Sequence, residues 1–167
     1  MELTRSIDPP RRPRGDGVRM VHRVKIASPQ EIVPLDRGKL RELVRSVLSG
    51  EDVADYEISL AFVDNPTIHR LNKQFLDHDE PTDVLTFPYT DPGAKKLEGE
   101  VVIGYEVATE YAADRGHELA LELVLYVVHG CLHLCGYDDT TDAAAADMRA
   151  AERKYLAALG LPDIAGG

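Results

Sequence analysis

The stretch HGCLHLCGYDD, residues 129–139, contains residue types that bind metal ions, at a spacing that could bring them together. His129 and His133 are four residues apart, and helical side chains at i and i+4 share one face, about 6 Å apart between Cβ atoms. Gly136 would end the helix, so the chain that follows could return Asp139 to the last helical turn. Two imidazoles and one carboxylate would leave a fourth position for water, as in catalytic zinc sites.

The same stretch could instead be a buried helix that happens to contain histidine. With 6 histidines in 167 residues, one pair at this spacing is a weak signal by itself. However, the surrounding sequence ELALELVLYVVHGCLHLC is apolar on nearly all sides, and buried imidazoles need polar partners. A shared ion would satisfy both rings. We therefore predict that His129, His133 and Asp139 bind one divalent metal ion.

Two cysteines in this stretch are also four residues apart but are not expected to join the site. Cys131 and Cys135 each lie two residues from a histidine, which is about 200° of rotation around a helix. They should face away from the imidazoles as core residues. Two cysteines cannot form a disulfide framework either, which favours a reducing, cytoplasmic location.

Apolar periodicity predicts the elements that would position the site. Strands are expected at 22–28, 56–64, 84–89 and 98–104, and helices at about 36–49, 65–76, 105–115, 117–135 and 141–159. Pro88 marks an edge strand or the end of the third strand, and Asn65 is expected to cap the second helix. This order predicts an α+β fold, a small mixed four-stranded sheet packed with about five helices, with the metal site on the central buried helix.

Composition sets the domain organisation. A chain of 167 residues that is 44% hydrophobic can bury the core of one domain, expected over 20–163. The spacing of His129, His133 and Asp139 predicts that this domain is a metal-dependent hydrolase. Residues 1–19, which include PPRRPRGDG, are expected to be a disordered extension. No stretch predicts a membrane span or a secretory signal. The net charge is −10, yet residues 1–45 are basic and could face a polyanion.

Three motifs resemble those of one protein family. HGCLHLCGYDD is similar to HGxLHLxGYDH, the signature of the YbeY family of bacterial rRNA-maturation endoribonucleases. DEPTDVLTFPY (79–89) resembles the family's DxPTDVLSFP, and GEVVIG (99–104) resembles GDIVIS, with Glu100 where Asp is usual. The resemblance covers about residues 20–160. It implies a cytoplasmic, zinc-dependent, single-strand-specific endoribonuclease whose partners are rRNA and the ribosomal subunit or assembly factors, without an organic cofactor.

The sequence departs from the family pattern at two important positions. The family's zinc is held by three histidines, of which two carry over to His129 and His133, whereas the third falls on Asp139. A carboxylate still binds zinc but shifts the preference towards manganese or ferrous iron. The family's arginine before KDxPTDVL falls on Leu76, and its lysine falls on His78. Arg70, Lys73 or His78 could supply a positive group instead.

Three functions follow from these observations. The leading hypothesis is a metal-dependent endoribonuclease acting in rRNA maturation and in ribosome assembly or quality control, with the general base left unassigned. Leu76 supports a second, a ribosome-assembly factor that keeps the metal for stability and has lost catalysis. The layout HxxxHxxGxxD suggests a third, a metallopeptidase-like hydrolase. Gly130 opposes it, because zinc proteases place a glutamate there as general base.

Overall fold

The computed structural model describes residues 19–28, 36–76 and 83–165. The strands in these ranges are β1 (His22–Ala27), β2 (Tyr56–Val63), β3 (Val84–Pro88) and β4 (Leu97–Gly104). The helices are α1 (Arg37–Gly50), α2 (Asn65–Leu76), α3 (Tyr105–Arg115), α4 (Leu119–Leu134) and α5 (Asp142–Ala158). Their order confirms the predicted α+β succession of four strands and five helices.

The four strands form one mixed sheet in the order β1-β2-β4-β3. β1 and β4 both run parallel to β2, whereas β3 pairs antiparallel with β4 at the edge. Pro88 is the last residue of β3 and pairs with Gly99. Its lack of an N–H donor suits this edge position, as predicted.

One face of the sheet carries the main hydrophobic core. Alternate residues of β2, from Tyr56 to Phe62, are buried against the helices on this face. The apolar stripe of α1 predicted from sequence, which includes Leu40 and Val44, is also buried. The opposite face has a smaller cluster in which Ile68 of α2 packs with Leu85 and Val102. Helices thus cover both faces of the sheet.

Helix α4 is buried on most sides and packs against α1, α3, α5 and the strands β3 and β4. A Cβ atom added to Gly130 would overlap the side chain of Val101 on β4. Glycine at this position therefore allows α4 to approach the sheet closely. The buried central helix predicted from the sequence is confirmed.

The start of α2 differs from the prediction. The carboxylate of Asp64 accepts a hydrogen bond from the Thr67 N–H at 3.0 Å, so Asp64 caps the helix and Asn65 is its first residue. Asp and Asn are both strong N-cap residues. Asn65 is the first helical residue here, and its backbone N–H donates to the Glu106 carboxylate at 2.5 Å.

Two sequence predictions concern residues outside the described ranges. Of the expected extension over 1–19, only Arg19 is described, and His78 is not described at all. No helix among the described residues is both long enough and apolar enough to span a membrane.

Candidate metal centre

The structure brings the three predicted ligands together at the C-terminal end of α4. The Nε2 atoms of His129 and His133 are 3.0 Å apart. Oδ2 of Asp139 lies 3.7 Å from Nε2 of His129 and 3.9 Å from Nε2 of His133. One ligand atom from each residue falls within 4.8 Å of the others. A single small cation could therefore contact all three side chains.

A defined turn after α4 returns Asp139 to the histidines. The helix ends at Leu134, and Gly136 adopts a left-handed φ of 107°, which glycine tolerates without a Cβ penalty. The N–H of Gly136 donates to the His133 carbonyl and the N–H of Tyr137 to the Leu132 carbonyl, both at 3.0 Å. These two bonds form a Schellman motif, as the glycine in the sequence indicated.

Hydrogen bonds to Nδ1 set the orientation of both imidazoles. Nδ1 of His133 lies 2.9 Å from the carbonyl oxygen of Tyr137, and Nδ1 of His129 lies 2.6 Å from Oε2 of Glu152. Carbonyl and carboxylate oxygens only accept here, so each Nδ1 carries the proton and donates. In the neutral rings, both Nε2 lone pairs then point towards the same place and repel each other. A cation between them removes this repulsion, and the residues fit a metal ion.

The two histidines also differ in their pKa values. Burial acts to lower the pKa of His129, but the hydrogen bond from its ring to Glu152 and the negative charge of Glu152 outweigh burial and raise it. Burial and the neighbouring positive charge of His129 lower the pKa of His133. His129 therefore takes up a proton more readily than His133.

Two acidic residues near the site were not identified from the sequence. Glu152, on α5, has a side chain only 6% exposed and contacts His129 directly. Asp83 precedes β3, and its negative charge helps to raise the pKa of His129. The sequence did contain one signal. Glu152 lies on the buried face of α5 with Met148 and Tyr155, where a carboxylate requires a partner.

The cysteines lie outside the cluster, as predicted. Cys131 is fully buried and Cys135 is half-buried. Burial raises the pKa of both thiols, that of Cys135 to about 12. Neither thiol belongs to the group of ligand atoms formed by His129, His133 and Asp139. Both are protonated core side chains at neutral pH.

Position 130, directly after His129, has no room for the side chain of a catalytic glutamate. Any side chain at Gly130 would meet Val101, because this position faces the sheet rather than the ligands. The general base of the zinc proteases therefore cannot be accommodated at this position. The geometry thus opposes a metallopeptidase-like site of the zinc-protease type.

The sequence and the fold both have clear relatives. The endoribonuclease YbeY family profile matches residues 25–160. The endoribonuclease YbeY of Moorella thermoacetica is 41% identical over 73% of this chain and 85% of its own length. That of Carboxydothermus hydrogenoformans is 39% identical over 82% of this chain and 97% of its own length.

Among solved structures, the solution structure of TM1509 from Thermotoga maritima is similar, with a TM-score of 0.58 and 25% sequence identity. The similarity covers 82% of this chain and 91% of TM1509. The family profile matches well over half of the chain, and curated relatives are about 40% identical over most of their lengths. The chain belongs to the endoribonuclease YbeY family.

Proposed function

We propose that this protein is a metal-dependent, single-strand-specific endoribonuclease that acts in the cytoplasm in rRNA maturation and in ribosome assembly or quality control. The observation that carries the proposal is the convergence of His129, His133 and Asp139 within 4.8 Å in a chain of an endoribonuclease family. Its partners are rRNA and the ribosomal subunit or its assembly factors. The two buried or half-buried thiols suit a reducing compartment.

His129, His133 and Asp139 would hold one divalent ion. Two imidazoles and a carboxylate suit zinc first, and the harder carboxylate also admits manganese or ferrous iron. Such an ion supplies Lewis-acid polarisation of the phosphodiester and can acidify water. The negative charge of Asp139 lowers the net charge of the centre relative to a set of three histidines.

The protein orients the two imidazole rings, places negative charge beside the centre and leaves the centre open to solvent. Glu152 and the Tyr137 carbonyl hold both imidazole rings with Nε2 facing the centre. Asp83 adds negative charge beside His129 and so stabilises a cation there. The side chain of Asp139 is 48% exposed, so the centre is open to solvent at this carboxylate.

Metal content and RNA cleavage should be measured together. Elemental analysis of the unmodified protein should give about one ion per chain, and Asp139→Ala should lose it. Asp138→Ala is the matched control, because the Asp138 carboxylate accepts from Thr140 rather than facing the histidines. The unmodified protein should cleave single-stranded but not duplex RNA, and a chelator should abolish the cleavage. No stoichiometric ion after addition of zinc, manganese or iron would refute the metal centre.

A second candidate is a ribosome-assembly factor that binds the ion for stability without cleaving RNA. Leu76 favours it, because leucine cannot stabilise charge on the phosphate oxygens as arginine can. The two candidate functions share the metal centre and differ in one measurable property, the cleavage of RNA. Stoichiometric metal combined with intact single-stranded RNA would favour the assembly factor.

A further inference from the structure

One side of helix α1 carries a row of exposed arginines. Arg37, Arg41 and Arg45 are each four residues apart, so they share one face of the helix at intervals of about 6 Å along its axis. Helix α1 packs against β1, an edge strand of the sheet. The row is therefore a line of positive charge at one edge of the fold, in a chain whose net charge is −10.

The row lies along the backbone of β1. Arg37 donates to the Ile26 carbonyl at 2.7 Å, and Arg41 donates to the Val24 carbonyl at 3.3 Å. These two bonds hold both guanidinium groups beside the strand. A guanidinium has five N–H donors, so each group keeps donors for a ligand. This edge of the sheet is therefore bordered by positioned guanidinium groups.

An open cavity of about 390 Å³ lies between α1 and β1. Arg41 and Arg45 of α1 line it together with Arg23 of β1. Burial raises the pKa of Tyr56, which also lines the cavity, and the positive charge of Arg45 opposes this rise. Among the described residues that line the cavity, Glu42 is the only acidic one. The excess of positive charge in the cavity therefore suits an anion.

Ion pairs within the protein neutralise only part of this charge. The Glu57 carboxylate of β2 lies 3.5 Å from the Arg23 guanidinium and 3.4 Å from the Lys25 amine. It also lies 3.5 Å from the Lys96 amine, so one carboxylate is shared by three cations. Exposed pairs of this kind are weak, and the side chains of Arg23 and Lys25 are 57% and 62% exposed. Both can therefore contact an anionic ligand from solvent.

We propose that the β1–α1 edge, formed by Arg23, Lys25, Arg37, Arg41 and Arg45, binds the phosphate backbone of single-stranded RNA; this rests on the proposed function. A guanidinium can bind phosphate through two parallel hydrogen bonds. A polyanion contacts several groups of such a row at once, whereas a single free phosphate contacts few. All five residues lie within the basic stretch 1–45, which the sequence indicated could face a polyanion.

The β1–α1 edge is separate from the candidate metal centre. Helix α4, which carries His129 and His133, packs against β3 and β4, whereas β1 is at the other edge of the sheet. Three strand spacings, roughly 14 Å, separate β1 from β3. RNA bound at the β1–α1 edge is therefore held by its backbone and is not cleaved there. Such a contact adds affinity without reading the base sequence.

The salt dependence of RNA binding tests the proposal. Each phosphate contact to a single strand adds about 0.7 to the slope of log Kd against log salt concentration. Arg23→Gln and Arg45→Gln should each lower this slope by about 0.7 and weaken binding by about 2- to 5-fold. Arg45→Lys keeps the charge and should keep the slope. Arg37 and Arg41 are left unchanged, because they also bond to β1.

Lys39→Gln is the matched control. Lys39 lies on the same helix and is exposed, but it is about 200° of helix rotation from Arg41 and lines a different cavity with Leu43 and Leu121. The control removes the same charge and should leave the slope unchanged. An equal loss of slope in Lys39→Gln and Arg45→Gln would overturn the proposal, because the effect would then come from net charge alone.

Cleavage assays separate this proposal from the proposed function. In Arg45→Gln, KM for RNA should rise, whereas kcat and metal content should stay unchanged. A protein that cleaves RNA, but whose two Arg→Gln variants bind it as before, would overturn the RNA-binding edge and leave the proposed function intact. A protein that binds RNA through these arginines without cleaving it would support the edge and overturn the nuclease. An unmodified protein that neither binds nor cleaves single-stranded RNA would overturn both.

Discussion

Glu152 of α5 accepts a hydrogen bond from Nδ1 of His129 of α4 at 2.6 Å, and its side chain is 6% exposed. The carboxylate fixes the ring tautomer and makes Nε2 a stronger donor towards a cation. It also joins the two helices that border the candidate site. Orientation of this ligand therefore depends on how α4 packs against α5.

Substitution of Glu152 should weaken metal binding without directly removing a ligand. Glu152→Gln keeps an acceptor oxygen but removes the charge, so we expect about 10-fold lower affinity, and about 100-fold lower affinity for Glu152→Ala. Competition with a chromogenic chelator measures the affinity of each variant for the metal ion. Glu110→Gln, an exposed change on α3, is the control and should bind metal as the unmodified protein does. Equal affinities for all variants would refute the positioning role.

Chelation should lower thermal stability, because an ion held by His129, His133 and Asp139 would tie the end of α4 to the segment that carries Asp139. At an ion concentration of about 100 times the Kd, binding contributes about 2.7 kcal/mol, which corresponds to a fall in Tm of about 5 to 10 °C on chelation. Differential scanning calorimetry with and without chelator measures the shift. Asp139→Ala should show a much smaller one. An unchanged Tm in the unmodified protein would contradict a bound ion.

Restoring arginine at position 76 should increase RNA cleavage. Position 76 ends α2 and precedes the PTDVL segment, where the family pattern carries arginine. A guanidinium there would stabilise the charge that develops on the phosphate oxygens, so Leu76→Arg should raise kcat by about 10-fold or more. The neutral Leu76→Gln should not. If Leu76→Arg gains nothing while retaining its metal, position 76 does not act on the phosphate.

Enlarging Gly130 should destabilise the fold. The added methyl of Gly130→Ala would overlap Val101, and overpacking of this kind costs about 1–3 kcal/mol, partly offset by the better helix propensity of alanine. Chemical denaturation measures the loss. The second change Val101→Ala should recover part of the loss, because it removes the overlapping methyl groups. Gly93→Ala meets no atom within 4 Å and should be close to neutral; a loss as large as that of Gly130→Ala would argue against steric overlap as the cause.

The sequence correctly predicted those parts of the fold and of the candidate site whose residues are close to each other along the chain. His129, His133, Gly136 and Asp139 fall within eleven residues, so helix geometry and one turn suffice to place them. The alternation of β2 and the stripe of α1 were equally readable. The predicted N-cap of α2 was wrong by one residue, because Asp64 and Asn65 are both good N-cap residues and the sequence alone did not distinguish them.

Contacts between distant segments could not be derived in the same way. Glu152 is 23 residues from His129, and their pairing depends on the register between two packed helices. Arg41 reaches the Val24 carbonyl because α1 packs against the edge strand β1. Periodicity identifies which face of each element is buried but not which residues meet across the interface.

Because of the Schellman turn at Gly136, the two histidines of the candidate site are oriented by separate contacts. It places the backbone carbonyl of Tyr137 against His133, so this orienting contact does not depend on the side chain at position 137. His129 is oriented separately by Glu152. Neither contact involves residue 139, so an imidazole or a carboxylate there leaves the hydrogen bonds that orient both rings in place. Among the three candidate ligands, position 139 is therefore the one at which the metal preference could be changed with the least effect on the orientation of the others.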